Sequence, residues 1–236
     1  MADCSLCLRL VWAFLSVTVA VISTLSYCYL MWLEGEAKLD GVDSTSTDLK
    51  GFVSSNKSVK FSFSTFRRCN HWTMYENGVE HRYKISENCR GYMAFRGDNG
   101  IPSGAWRTCT IVGGIGWSLL DLVAPLAVGA IFVALTKVWA VICGFMQAIA
   151  GVLLIVTVFV YPLGLDADIV RKEACGLDAS QYNLGECTFT WGFWLTGCSG
   201  ILSLVLAGLC LKASATKAEY HLDHEDYRKE KDNVQP

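Results

Sequence analysis

The sequence predicts a membrane protein of mixed α and β structure: four transmembrane helices, with an antiparallel β-sheet standing on the long loop that follows the first. Three observations predict it. Four long stretches are almost free of charge, the loop between the first two alternates with the period of a strand, and four cysteines sit in loops that an even number of crossings places on one face.

The charge distribution carries the first observation. Of 236 residues, 52% are hydrophobic and 18% are charged, where a soluble domain carries about a quarter. No charge occurs from Leu10 to Leu33, from Val138 to Leu165 or from Cys187 to Leu211, and the one charge from Thr108 to Thr136 is Asp121. A hydrocarbon core of ~30 Å needs about 20 apolar residues as a helix, and each stretch is longer than that. The reading divides the chain into a cytoplasmic N-terminus (1–8), spans at 9–33, 108–134, 139–161 and 188–211, an extracellular first loop (34–107), a short cytoplasmic turn (135–138), an extracellular second loop (162–187) and a flexible cytoplasmic tail (212–236). The first span is read as retained, not as a cleaved signal peptide: it is longer than a signal core, no small-x-small site precedes Glu34, and Tyr27, Tyr29 and Trp32 stand at its exit as interfacial anchors.

Orientation follows from side-chain chemistry. Arg9, Lys137, Lys212 and Lys217 flank span ends on the terminal side, against Arg171 and Lys172 in the short second loop, which favours both termini in the cytoplasm. Asn56-Lys57-Ser58 is a glycosylation sequon, and Cys69, Cys89, Cys175 and Cys187 fall in the two loops opposite, where an oxidising compartment allows disulfides. Four cysteines permit three pairings, and spacing does not choose among them. A multi-pass protein of the plasma membrane is the expectation.

Within the first loop, Val59, Phe61 and Phe63 alternate with Lys60, Ser62 and Ser64, which reads as a half-buried strand. The segments His81–Ile85 and Tyr92–Phe95 read similarly, with turns at Asn77-Gly78 and Asp98-Asn99-Gly100. The Ser-, Thr- and Asp-rich stretch from Gly41 to Gly51 reads as a mobile excursion.

Several motifs in one order then resemble a family. Phe63-Ser-Thr-Phe-Arg-Arg-Cys69, Cys89-Arg-Gly-Tyr92 and the run from Ile101 to Val112 resemble the first-loop signature of the lipoma HMGIC fusion partner-like tetraspan family. So do Tyr161-Pro-Leu-Gly-Leu-Asp166, the run from Cys175 to Cys187, and Thr190-Trp-Gly-Phe-Trp194. The resemblance covers roughly Ser5 to Leu211 and implies a claudin-like fold: a left-handed four-helix bundle, with a sheet built mostly from the first loop and completed by the second. It also implies pairing of Cys69 with Cys89 and of Cys175 with Cys187. Cys109 is a further candidate for pairing, but its place at the mouth of the second span reads as that of a free thiol. Leu165 departs from the pattern, which usually has Trp there, and removes an interfacial anchor. The terminal Asn-Val-Gln-Pro lacks the hydrophobic end of a PDZ ligand.

The spans also carry polar and small residues. Asp121 lies near mid-bilayer and is expected to face the bundle interior, satisfied by Ser118, a carbonyl near Pro125, or Gln147; docking a partner helix is the sharper alternative. Small residues recur at packing spacing, Ala130 with Ala134, Gly144 with Ala148, Thr196 with Gly200 and Ser203 with Ala207, and are expected to pack the bundle. Cys4, Cys7 and Cys210 stand at the cytoplasmic boundary, where palmitoylation is one reading and unmodified thiols are the other. His71 and His81 lack metal-ligand spacing, no catalytic constellation or phosphate loop is present, and the balanced charge without a dense basic patch argues against a nucleic-acid binder. The expectation is a protein without enzymatic activity, metal or other cofactor, whose partners are membrane lipid and an integral membrane complex, with homo-oligomers compatible. The resemblance implies an auxiliary or assembly subunit of an ion-channel or receptor complex. Claudin-like adhesion or paracellular sealing ranks second, and a pore last, because the spans lack a polar lining.

Asn56 is expected to carry glycan. Deglycosylation of membrane-expressed protein should raise its gel mobility and Asn56→Gln should abolish the shift; an unshifted wild type would contradict an extracellular first loop.

Overall fold

The computed structural model describes residues 2–38, 57–76, 79–81, 88–92, 101–132 and 137–210. Asn56, the excursion at 41–51, the turns at 77–78 and 98–100, the segments 82–85 and 93–95, Ala134 and the tail at 212–236 lie outside these residues.

Four helical segments are long and apolar enough to cross a membrane: Leu10–Tyr29, Gly104–Gly129, Val138–Gly164 and Trp191–Cys210. They belong to α1 (Ala2–Thr24, continued by a π-turn at Leu25–Tyr29), α2 (Gly104–Phe132), α3 (Lys137–Val160, closed by a 3₁₀ turn at Tyr161–Gly164) and α4 (Trp191–Cys210). Helices are required here because lipid offers no partner to an exposed peptide group.

The charge-free runs overstate two of these helices. The first was expected to reach residue 33, but Leu33 already opens β1 (Leu33–Lys38). The fourth was expected from residue 188, but Thr188–Phe189 form β6, and Phe189 and Thr188 pair with Leu33 and Glu34. The reason lies in the backbone. The Trp32 N–H donates to the Phe63 carbonyl at 2.8 Å and the Thr190 N–H to the Trp32 carbonyl at 3.0 Å. An apolar residue at a span end is drawn into a sheet wherever strand partners are within reach.

By contacts the chain divides into two compact units. One comprises Met1–Thr24, Ile115–Ile155 and Cys198–Pro236, the other Leu25–Gly114 and Val156–Gly197. In the first, all four helices contribute to a core of Val19, Ala20, Leu120, Ala150, Leu154 and Leu206. Gly151 and Gly200 let α3 and α4 approach closely. A Cβ on Gly151 would lie 2.7 Å from the Gly200 carbonyl oxygen and 2.9 Å from Leu204 Cγ. Without a hydrophobic drive between helices in lipid, such contact supplies the association.

The second unit holds a six-stranded sheet in the order β4-β3-β2-β1-β6, with β5 also on β3. Its further strands are β2 (Lys57–Phe63), β3 (Arg67–Glu76), β4 (Val79–His81) and β5 (Asn88–Gly91). All pairings are antiparallel. β2 coincides with the alternating segment read from the sequence, and the second loop contributes β6 at its far end. Phe63 is buried and Phe61 half-buried, yet Ser62 on the opposite face is buried too, so the inner end of β2 is covered on both sides.

Overpacking the α3–α4 contact should be costly. Gly151→Val is expected to destabilise by about 1–3 kcal/mol, read as a lower melting temperature in detergent, whereas Gly129→Ala, with no neighbour within 4 Å of the added Cβ, should leave it level or raised. Equal melting of both variants would contradict the contact.

Candidate functional site

The sheet is stapled twice. Cys69 on β3 stands opposite Cys89 on β5 in the strand register, and the two are joined. Cys175 is joined to Cys187 across the second loop. The loop bridge abuts β1 at Gly35, where a Cβ would fall 2.6 Å from both the Ala174 carbonyl oxygen and Cys187 Sγ. Only a glycine admits that approach. Cys109 is a free thiol, buried, and directed at the Thr157 carbonyl at 3.4 Å.

Beneath the sheet lies an aromatic cluster. Trp106 stacks on Tyr161 with ring centroids 4.8 Å apart and planes within 7°, and its indole N–H donates to the Tyr161 carbonyl at 2.9 Å. Phe63 and Trp32 pack against this pair from β2 and from the end of the first span, and Phe189 stacks on Phe193 beside it. Trp32, Phe63, Trp106 and Tyr161 are fully buried. Gly164 makes the stack possible, since a Cβ there would lie 2.4 Å from Trp106 Cδ1. Leu165, which was expected to leave a gap among the interfacial anchors, is itself fully buried and fills the core.

The other expected contacts sort into three groups. Gln147 is buried at the centre of a polar junction: it accepts from Trp12 Nε1 at 3.2 Å, donates to Ser16 Oγ at 2.8 Å, and its backbone carbonyl accepts from Ser203 Oγ at 2.7 Å. Three helices meet on one residue there, α1 at its side chain and α4 at its main chain. Gly144, Thr196 and Gly200 are buried and Ala148 half-buried, which directs these small residues into their units; Thr196 Oγ1 also lies within hydrogen-bond distance of Ser26 Oγ, at 3.0 Å, and of the Gly192 carbonyl oxygen, at 2.8 Å. The side chain of Ala130 lies outside the description. Of the acylation candidates, Cys7 is exposed and Cys210 is buried with its thiol toward the Ala140 carbonyl, which favours the unmodified thiol there; nothing is described of the Cys4 side chain.

Asp121 is where expectation and structure part. It does not face the interior. It is exposed on α2, and its Oδ1 accepts from Thr24 Oγ1 of α1 at 3.0 Å. Thr24 in turn accepts from Trp117 Nε1 at 2.9 Å. Gln147, expected as a partner, is engaged with Trp12 and Ser16. Thr24 and Trp117 were not singled out in the sequence. A hydroxyl and an indole in the spans are common enough that only the helix pairing brings them to the acid.

With this geometry in place, comparison with known proteins is informative. A family model described as "Lipoma HMGIC fusion partner-like protein" matches residues 8–216. LHFPL tetraspan subfamily member 2a protein of Danio rerio is 29% identical over 211 residues, covering 89% of this chain and 86% of the relative. LHFPL tetraspan subfamily member 2 protein of Homo sapiens is 28% identical over the same length and coverage. LHFPL tetraspan subfamily member 3 protein of Danio rerio is 32% identical over 122 residues, 51% of this chain and 54% of the relative.

The staples should matter for folding. Loss of one bridge from a small domain costs roughly 2–5 kcal/mol, so Cys69→Ser or Cys175→Ser should cut delivery to the cell surface, measured by surface biotinylation, while Cys109→Ser should not. Full surface delivery of both bridge variants would contradict a structural role for the disulfides.

Proposed function

This chain belongs to the lipoma HMGIC fusion partner-like family of tetraspan membrane proteins, and from that premise we propose that it works by binding, as an auxiliary or assembly subunit of an ion-channel or receptor complex, without enzymatic activity of its own. Its place is the plasma membrane, with both termini in the cytoplasm and the stapled sheet outside.

One observation carries the reading. At Gln147 interior polar groups of the spans bond one another, while the sole acid of the spans, Asp121, stands on an exposed face. A pore would need polar groups presented to a path between helices. A binding protein needs them at a surface. The client class is the one that the family resemblance implies; the sheet and the exposed helix faces are the surfaces available to recognise it.

Purified from native membrane in mild detergent, the chain should co-purify with a larger channel or receptor complex, and its loss should lower that complex's surface level or alter its gating. Reconstituted alone in liposomes it should carry no current above empty controls. Recovery only as copies linked between apposed cells would favour adhesion instead. A selective conductance from the purified chain, abolished by Asp121→Asn, would overturn the proposal in favour of a pore.

A further inference from the structure

Asp121 is an incomplete site. Eight residues separate it from Gly129 at the end of its span, ~12 Å along the helix at 1.5 Å per residue, which places it within the hydrocarbon. There water does not supply donors, and an acid is costly unless paired. An ionised carboxylate offers about four acceptor positions. Among the described residues, Thr24 is the hydrogen-bond partner that Asp121 has, at 3.0 Å. Even that donor is divided, because Thr24 Oγ1 also lies 2.9 Å from the Ala20 carbonyl oxygen and a hydroxyl has one proton.

The backbone adds a second, independent deficit at the same residue. Pro125 lies inside α2. Proline has no N–H, so the helical bond from position 125 to the carbonyl of Asp121 is not made. One exposed residue thus combines a carboxylate with acceptor positions beyond Thr24 and a main-chain carbonyl that lacks its usual helical donor. Around them, Ser118, Leu122 and Pro125 of α2 are exposed on the same stripe, and Val21 is exposed on α1 one turn before Thr24.

We propose that the Asp121 face of α2, with Thr24 beside it, docks a transmembrane helix of another protein that carries a lysine or arginine at the same depth. This rests on the binding reading above and names the chemistry of the partner. Charge complementarity selects a basic side chain, and its several N–H groups suit the paired acceptors better than a single hydroxyl would. A second copy of this chain does not meet the requirement. The one base in its four spans is Arg107, fourteen residues along α2 from Asp121, ~21 Å away at the helical rise.

The full-length chain, donor-labelled and reconstituted in phosphatidylcholine vesicles, can be titrated with acceptor-labelled single-span leucine-alanine peptides carrying Lys, Gln or Leu at the depth of Asp121. Energy transfer should show the Lys peptide associating roughly three- to thirtyfold more tightly than the Leu peptide, the range expected of polar pairs between membrane helices. Asp121→Asn, which keeps the side chain's size and an acceptor for Thr24, should bring the Lys peptide to within about twofold of the Leu peptide. Equal transfer for Lys and Leu peptides on the wild type overturns the inference without recourse to any variant, and leaves the binding reading to stand or fall on co-purification. A Lys preference that survives Asp121→Asn overturns it as well. So does transfer between two labelled copies of the chain that is lost in Asp121→Asn, which would assign the face to self-association.

Discussion

The second unit depends on the stack of Trp106 on Tyr161. It joins the start of α2 to the end of α3 by ring contact and by the indole donating to a main-chain carbonyl. Phe63 from β2 packs on Trp106, and Trp32 from the exit of the first span and Phe193 from the head of α4 pack on Tyr161. Four helix ends and the sheet are therefore referred to the same two side chains. Aromatic pairs of this kind contribute about 0.5–1.5 kcal/mol beyond their area. Their larger effect is geometric. Gly164 and Gly192 are held to glycine by the approach, with added Cβ atoms falling 2.4 Å from Trp106 Cδ1 and from the Met31 carbonyl oxygen respectively.

This explains what the sequence motifs report. Phe63 and Thr65 belong to one motif, Trp106 and Thr110 to another, Tyr161 and Gly164 to a third, Thr190 to Phe193 to a fourth. Thr110 donates to the Thr65 carbonyl at 2.6 Å, Thr190 Oγ1 donates to the Met31 carbonyl, and Arg67 reaches the Tyr29 carbonyl. Segments far apart in the chain converge on one cluster. The resemblance was legible because these residues are bound to each other sterically, and for the same reason they identify an architecture without identifying a client.

What the sequence did not disclose has equally physical causes. β1 alternates strictly, Leu33-Glu34-Gly35-Glu36-Ala37-Lys38, but the strand adjoins a span and carries a glycine, so its period was masked by the apolar run before it. β6 is two residues long, too short for any period. β3 mixes Arg, Cys, Asn, His and Trp and shows no clean alternation. Asp121 failed for a different reason. In water, a helix's apolar face marks its interior side. In lipid both faces are apolar, so period conveys that α2 spans the membrane without conveying which way any one residue points.

That last point separates the two polar sites of the first unit. Gln147 and Asp121 are both polar residues in long apolar helices, and sequence treats them alike. Gln147 is buried, with its amide nitrogen, amide oxygen and main-chain carbonyl each bonded and three helices joined by those bonds, so the bonds it makes fix the fold. Asp121 is engaged by one shared hydroxyl on an exposed face, beside a proline that removes a further bond. Folding buries the first away from any partner and leaves the second exposed, with acceptors still to fill. Because lipid solvates neither charge nor carbonyl, a deficit that water would erase on a soluble protein persists here as a specific attraction. Recognition within a membrane can therefore rest on a single residue, provided that folding leaves it unsatisfied.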